Sequence, residues 1–279
     1  MKLLDGKQVA AYYRSRIERR IDALKNGHIQ PVLAIILAGH DKPSAMYAAS
    51  MQKTAHSVGL GAEIYEHSED VLETELIALI ERCNADRNVC GILLMMPLPP
   101  HLNARRVISA ISPDKDVDGL TDCNMARLFA GQPSVVPCTP KAVMAILDYY
   151  DIELAGKEVV VIGRSTVVGK PLAQLCLARN ATVTQCHTGT VDLKTVVQRG
   201  DIVIAAAGKA GLVTADMIKP GAVVIDVGIN RVDGRTVGDV AFAEVSSVAG
   251  AITPVPGGVG AVTTMMVLDN AIGRQASCI

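Results

Sequence analysis

Val159-Val160-Val161-Ile162-Gly163-Arg164-Ser165-Thr166-Val167-Val168-Gly169-Lys170-Pro171, running on through Leu172 to Ala178, decides the fold. Four β-branched residues in a row read as a buried strand. Gly163 then permits a tight turn, and the residues from Val168 have helical spacing. A strand, a glycine turn and a helix in this order make up a dinucleotide-binding entry, in which helix N–H groups face a pyrophosphate. The match to the glycine fingerprint is imperfect. Ser165 stands at the second glycine position, and the third is displaced to Gly169.

Outward from this segment the pattern continues. Ala181–Cys186, Ile202–Ala207 and Ala222–Val227 read as strands, with a helix over Val191–Gln198. Such repeats imply parallel strands with crossover helices. Towards the N-terminus, Val9, Tyr13, Ile17, Ile21 and Leu24 recur at helical spacing. Strands are predicted over Val32–Ala38, Ala62–Tyr65 and Val89–Met96, and helices over Pro43–Val58, Val71–Asn84 and Asn103–Ile111. Residues 112–137 are rich in Asp, Gly, Pro and Asn and are read as the domain connection, with a site within part of the stretch left open. Thr139-Pro140 is read as capping a helix through Tyr150. The chain closes with the turn Pro256-Gly257-Gly258-Val259-Gly260 and an apolar helix to about Ile272. The predicted class is α/β: two α/β domains around a cleft, the second a Rossmann-like parallel sheet.

Composition removes other classes. Of 279 residues, 27 are basic and 28 acidic, so no positive excess exists to neutralise a nucleic-acid backbone. Trp is absent, which argues against single-strand stacking platforms. The longest apolar runs are strand-sized and predict no membrane partner. Met1–Lys7 meets charge before any long apolar run, which predicts no secretory signal. The seven cysteines form no C-x-x-C pair and read as reduced thiols of a cytoplasmic protein. Neither Cys nor His shows metal-ligand spacing, so no metal is expected.

The strand end at Gln185-Cys186-His187-Thr188 bears on the cofactor. An NAD-selective fold places an acid there to hold the ribose hydroxyls. None is present. Arg164 lies in the first turn, where a guanidinium meets a 2′-phosphate in bidentate fashion. The reading is NADP in preference to NAD.

Several segments together resemble the methylenetetrahydrofolate dehydrogenase/cyclohydrolase family. They are Pro43-Ser44-Ala45-Met46-Tyr47, Gly91-Ile92-Leu93-Leu94 with Pro97-Leu98-Pro99, Pro113-Asp114-Lys115-Asp116-Val117-Asp118-Gly119, Pro137-Cys138-Thr139-Pro140, Gly163-Arg164-Ser165, Lys219-Pro220-Gly221 with Val224–Asn230, and Ile252–Gly260. The resemblance implies a folate-type substrate domain over residues 1–137, with helix 262–279 packing back on it, and an NADP-binding domain over 138–261. It implies a tetrahydrofolate-type substrate and a homodimer. Tyr47 and Asp118 would be the catalytic pair, Tyr47 against the folate rings and Asp118 on the pterin edge, with Pro256, Gly257 and Gly258 also at the substrate. Gly163, Arg164, Ser165, Gly169, Thr188, Ala207, Gly208, Ile229 and Thr263 would hold the cofactor.

The chain departs from this family at two positions. The family's helix carries Lys four residues after the Tyr, so both share one face. Position 51 is Met, and Lys53 lies about 200° further round at ~100° per residue. The family's Gln before Leu-Pro-Leu-Pro is replaced by Met95. Two polar partners are exchanged together for Met, which fills irregular apolar space. Hydride transfer needs aligned carbons and little acid–base help. Hydrolysis of a methenyl bridge needs an activated water and a proton on a ring nitrogen. The sequence therefore predicts an NADP-dependent methylenetetrahydrofolate dehydrogenase with weak or absent cyclohydrolase activity. A dehydrogenase for another imine or pterin, and a non-catalytic folate- and NADP-binding homologue, stay open at this point.

Overall fold

The structure, a computed structural model, describes residues 1–28, 30–132 and 135–273. In chain order the elements are β1 (Lys2–Leu3), α1 (Gly6–Asn26), β2 (Val32–Ala38), α2 (Lys42–Ser57), β3 (Gly61–His67), α3 (Glu73–Ala85), β4 (Val89–Leu94), α4 (Ala104–Ser109), α5 (Asp122–Phe129) and α6 (Cys138–Tyr149). They continue with β5 (Glu158–Ile162), α7 (Gly169–Ala178), β6 (Thr182–Cys186), α8 (Leu193–Val197), β7 (Ile202–Ala205), β8 (Val223–Asp226), the hairpin β9 (Asn230–Val232) and β10 (Arg235–Val237), α9 (Phe242–Val245), β11 (Ala251–Ile252) and α10 (Val259–Gly273). The α/β class and the parallel sheets are as the sequence predicts.

The chain forms two compact units. The first holds residues 12–127, 135–136 and 267–273. Its sheet has the order β3-β2-β4, all parallel. Every residue of β4, and all of β2 after Val32, is buried, as helices on both faces of a parallel sheet require. Leu76, Leu79, Ile80 and Cys83 of α3 close one face over Ala34, Ile36 and Ile92.

The second unit holds residues 1–11, 128–132 and 137–266. Its six-stranded sheet runs β1-β11-β8-β7-β5-β6, with parallel pairing throughout. Ile162, Cys186, Val203, Val224 and Ile252 belong to one buried cluster on this sheet.

Two expectations need correction, and one segment gains detail. Residues 112–127, read as the connection and as part of the first domain, cluster with the first unit and are ordered there. The buried carboxylate of Asp116 accepts hydrogen bonds from Leu120 N (3.1 Å), Thr121 N (2.8 Å) and Asn124 Nδ2 (2.9 Å). Lys115 donates from Nζ to the carbonyls of Cys83 (2.8 Å), Asn84 (2.8 Å) and Asp86 (2.6 Å), satisfying orphan acceptors at the end of α3. A polar stretch is thereby folded by its own charges. Residues 1–11, expected with the first domain, cluster with the second unit, because β1 pairs in parallel with β11. Finally, α6 starts at Cys138, one residue before the expected cap, and Pro137 at the N-cap position makes no side-chain bond.

The closing helix begins at Val259, and residues 274–279 of the expected 262–279 span lie outside the described residues. Within the first unit its last turns are pinned by Asn270 Nδ2, which donates to Val117 O (2.8 Å) and Val136 O (2.9 Å). Arg20 and Asp269 add a half-buried ion pair at 2.8 Å.

Candidate functional site

In the second unit, loops at the carboxyl ends of β5, β6 and β7 enclose a cavity of about 480 Å3. Open parallel sheets bind ligands at these strand ends. Arg164, Ser165, His187, Thr188, Ala207 and Lys209 are among its lining residues. Gly163 has φ +133°, and a Cβ there would collide with the carbonyl oxygen of Ala206. A Cβ on Gly169 would collide with the carbonyl oxygen of Gly163. The displaced glycine therefore performs the close helix-to-turn packing that the third fingerprint glycine performs.

The helix start itself differs from expectation. Ser165 Oγ accepts from Val168 N (3.1 Å) and Gly169 N (3.4 Å), and Ser165 O accepts from Lys170 N (3.0 Å). Pro171 has no N–H. The first turn of α7 is thus satisfied internally and offers no free N–H row to a pyrophosphate. The cause is the hydroxyl at the position where the fingerprint has its second glycine. Recognition of a phosphate at this cavity falls to side chains, and Arg164 and Lys209 are its cations.

The end of β6 carries no acid. His187 Nδ1 accepts from Gly189 N at 3.0 Å, which leaves Nε2 as the ring nitrogen that can donate. His187 N donates to Thr190 Oγ1 at 2.8 Å. These bonds shape the β6–α8 loop so that His187, Thr188 and Thr190 face the cavity as donors.

A second cavity, of about 300 Å3, is lined by Lys7, Asp226, Val227, Ile229, Pro256, Gly257 and other residues of the closing turn. Gly257 has φ +100°, and a Cβ on Gly258 would collide with the Pro254 carbonyl oxygen. Gly258 is buried and packs on Pro254, while Gly257 is half-buried and presents backbone without a side chain at the cavity, which suits close approach by a flat ring. Asp226 is buried at 3% exposure, and that burial pushes its carboxyl up to about 6 although Gly228, Asp239 and Val240 donate backbone N–H groups to it.

Not every candidate faces a cavity. Gly169 is consumed by packing. Gly208 donates its N–H to Asp239 (2.9 Å), and Thr263 Oγ1 donates to the Val259 carbonyl inside α10 (3.1 Å). None of these three lines either cavity. Lys7, Lys209, Asp226 and Asp239 are additions that the sequence does not announce.

In the first unit Tyr47 and Met51 lie on α2, Met95 directly follows β4, and Asp118 lies in the turn after Lys115. Asp41 caps α2, accepting from Ser44 N (2.9 Å) and Ser44 Oγ (2.6 Å), and Ser44 Oγ also lies 3.0 Å from Met96 O. That contact ties the start of α2 to the loop after β4. The buried stripe of α2 is Ser44, Ala48, Met51 and Ala55. Met51 is fully buried, Met95 is 6% exposed, Tyr47 is partly exposed at 38%, and Lys53 faces solvent. Ile92 bridges Asp116 in parallel, and Ile92 N donates to Lys115 O at 2.7 Å. After that bridge the chain turns through Val117 and Asp118, with Gly119 N donating to Asp116 O at 3.3 Å. Tyr47, Met51, Met95 and Asp118 all belong to the first unit. Among the described residues no group of three or more His, Cys, Asp or Glu side chains is placed to hold a metal.

A Rossmann-like sheet with a glycine turn, two cations and an acid-free second strand defines the second unit as a dinucleotide-binding domain. Comparison with known proteins agrees and goes further. The profile described as the tetrahydrofolate dehydrogenase/cyclohydrolase catalytic domain matches residues 4–118, and its NAD(P)-binding domain matches residues 137–277. The bifunctional protein FolD of Exiguobacterium sibiricum is 47% identical over 270 residues, covering 97% of this chain and 98% of that one. The crystal structure of the bifunctional FolD methylenetetrahydrofolate dehydrogenase/cyclohydrolase from Campylobacter jejuni has a TM-score of 0.98 at 40% identity, with 100% of both chains covered. The Trypanosoma brucei enzyme, complexed with NADP cofactor and an inhibitor, has a TM-score of 0.90 at 36% identity over 97% of each chain. The chain belongs to the tetrahydrofolate dehydrogenase/cyclohydrolase family.

Proposed function

We propose that this chain is an NADP-dependent oxidoreductase that oxidises 5,10-methylenetetrahydrofolate to 5,10-methenyltetrahydrofolate, with weak or absent cyclohydrolase activity. Its relatives named bifunctional make the dehydrogenase half the expected one. The observation that supports the departure from them is that Met51 and Met95, at the family's Lys and Gln positions, are both buried. Neither thioether donates or accepts a proton in the range that water activation requires.

The division of labour follows from the two units. In the first, Asp118 accepts paired N–H bonds from a pterin edge, and Tyr47 offers a ring face and a hydroxyl. In the second, the Gly257-Gly258 turn admits a flat ring against backbone, while Arg164, His187 and Thr188 receive the adenosine end of the cofactor. NADP, when bound, supplies the hydride acceptor. Hydride transfer then requires position and exclusion of water more than proton movement. We infer that residues 1–137 with the closing helix serve the substrate, that 138–261 serve the cofactor, and that the working form is a homodimer.

The test is reduction of NADP by methylenetetrahydrofolate with the purified chain. Turnover is expected, with kcat/KM for NADP at least about tenfold above that for NAD, the worth of one charge-assisted bond to a 2′-phosphate. No reduction of either cofactor overturns the reading in favour of a non-catalytic binding protein.

A further inference from the structure

Asp239 is fully buried and lies just after the β9–β10 hairpin, outside both cavity linings. Its carboxylate accepts four N–H donors. Oδ2 receives Ala207 N (2.6 Å) and Gly208 N (2.9 Å), and Oδ1 receives Lys209 N (2.9 Å) and Asn230 Nδ2 (2.9 Å). Three consecutive backbone amides wrapped around one anion form a nest, a shape that ordinarily captures a ligand's phosphate. Here the protein fills the nest with its own side chain. Gly208 adopts φ +66°, the left-handed conformation that closes the nest.

The surroundings are built to hold this carboxylate still. Asp239 N donates to Asp226 Oδ1 at 2.9 Å. A Cβ on Gly228 would collide with Asp239 Oδ1, and one on Gly238 would collide with Asp226 Oδ2. Ala207 and Lys209 line the larger cavity, while Asp226, Gly228 and Ile229 line the smaller. One side chain therefore fixes the loop after β7 and, through Asn230 and Asp226, the loop after β8.

We propose that Asp239 is a positioning residue for the cofactor: it holds the 206–209 loop in the shape that receives the dinucleotide and couples it to the wall of the smaller cavity. The proposal rests on the reading of the larger cavity as the cofactor site. Asn at this position keeps the volume but turns one oxygen into an NH2 group. Whichever oxygen is lost, a donor then faces two N–H donors, so one arm of the nest must open.

The experiment uses the full chain with NADP and methylenetetrahydrofolate as probes. Asp239→Asn is expected to raise the KM for NADP about tenfold, with the KM for the folate and kcat at saturating NADP within about twofold; one lost charged hydrogen bond is of that order. Gly208→Ala leaves the carboxylate intact and meets nothing within 4 Å, but strains the left-handed residue; it is expected to raise the NADP KM about threefold to fivefold. A purely structural role predicts instead a smaller active fraction, seen as lower kcat with both KM values unchanged. That result, or equal rises in both KM values, overturns the proposal. If Asp239→Asn does not fold, an unchanged NADP KM in Gly208→Ala overturns it. If wild-type protein shows no NADP binding by calorimetry, the reading of the cavity fails, and the proposal fails with it.

Discussion

Arg164→Ala raises the KM for NADP about 100-fold and changes that for NAD by less than about threefold: this is the expected result of steady-state assays with both cofactors. The magnitude is that of two charged hydrogen bonds at ~1.5 kcal/mol each, with ~1.4 kcal/mol per factor of ten. The guanidinium is exposed on the first turn after β5 and lines the larger cavity. No carboxylate closes the neighbouring strand end. The α7 start cannot share the load, since Ser165 occupies its N–H groups. On the proposed reading a phosphate on the adenosine ribose is held by Arg164, with His187 Nε2–H as a lesser donor, and Lys209, on the loop after β7, is the cavity's other cation. Loss of NADP and NAD turnover in equal measure would mean that Arg164 holds the loop rather than the 2′-phosphate.

Met51→Lys combined with Met95→Gln raises methenyltetrahydrofolate hydrolysis about 100-fold, the low end of what a positioned acid–base group contributes. Hydride transfer is expected to change much less. The two substitutions are also expected to be non-additive in stability. Position 51 is fully buried and its stripe on α2 carries Ala48 and Ala55, so a lysine there brings a buried cation into an apolar helix face. The Met95→Gln change supplies a hydrogen-bonding partner, and the double variant should be more stable than the sum of the singles, measured as a double-mutant cycle in denaturant. A folded double variant with hydrolysis no faster than wild type would show that the Met pair does not limit that activity.

The sequence exposes the strand–turn–helix around Gly163 because a missing Cβ and a four-residue apolar strand are local features. It does not expose what each glycine faces. That Gly169 packs on the Gly163 carbonyl, and that Ser165 takes the helix amides, depends on a turn whose atoms come from three strands' ends. The strands β1 and β11 have two residues each and carry no periodicity, so the return of residues 1–11 to the second unit is invisible in the pattern. The β9–β10 hairpin did carry a signal. Asp233 and Gly234 have φ of +49° and +75°, the conformation that Asp-Gly favours in a two-residue hairpin turn. Residues 112–127 read as a connection because of their polar composition, whereas Asp116, Thr121 and Asn124 spend their polar groups on one another. Asp226 and Asp239 have no spacing signature at all. Their pairing is made by the hairpin between them.

Under the proposed function the chain makes methenyltetrahydrofolate and releases it unhydrolysed. The most direct measurement mixes purified protein with methylenetetrahydrofolate and NADP and follows NADPH and the methenyl product together. One methenyl per NADPH, decaying afterwards at the rate seen in buffer alone, is the predicted result. NADPH formation without methenyl accumulation, together with hydrolysis of added methenyltetrahydrofolate at a rate comparable to hydride transfer, would contradict it.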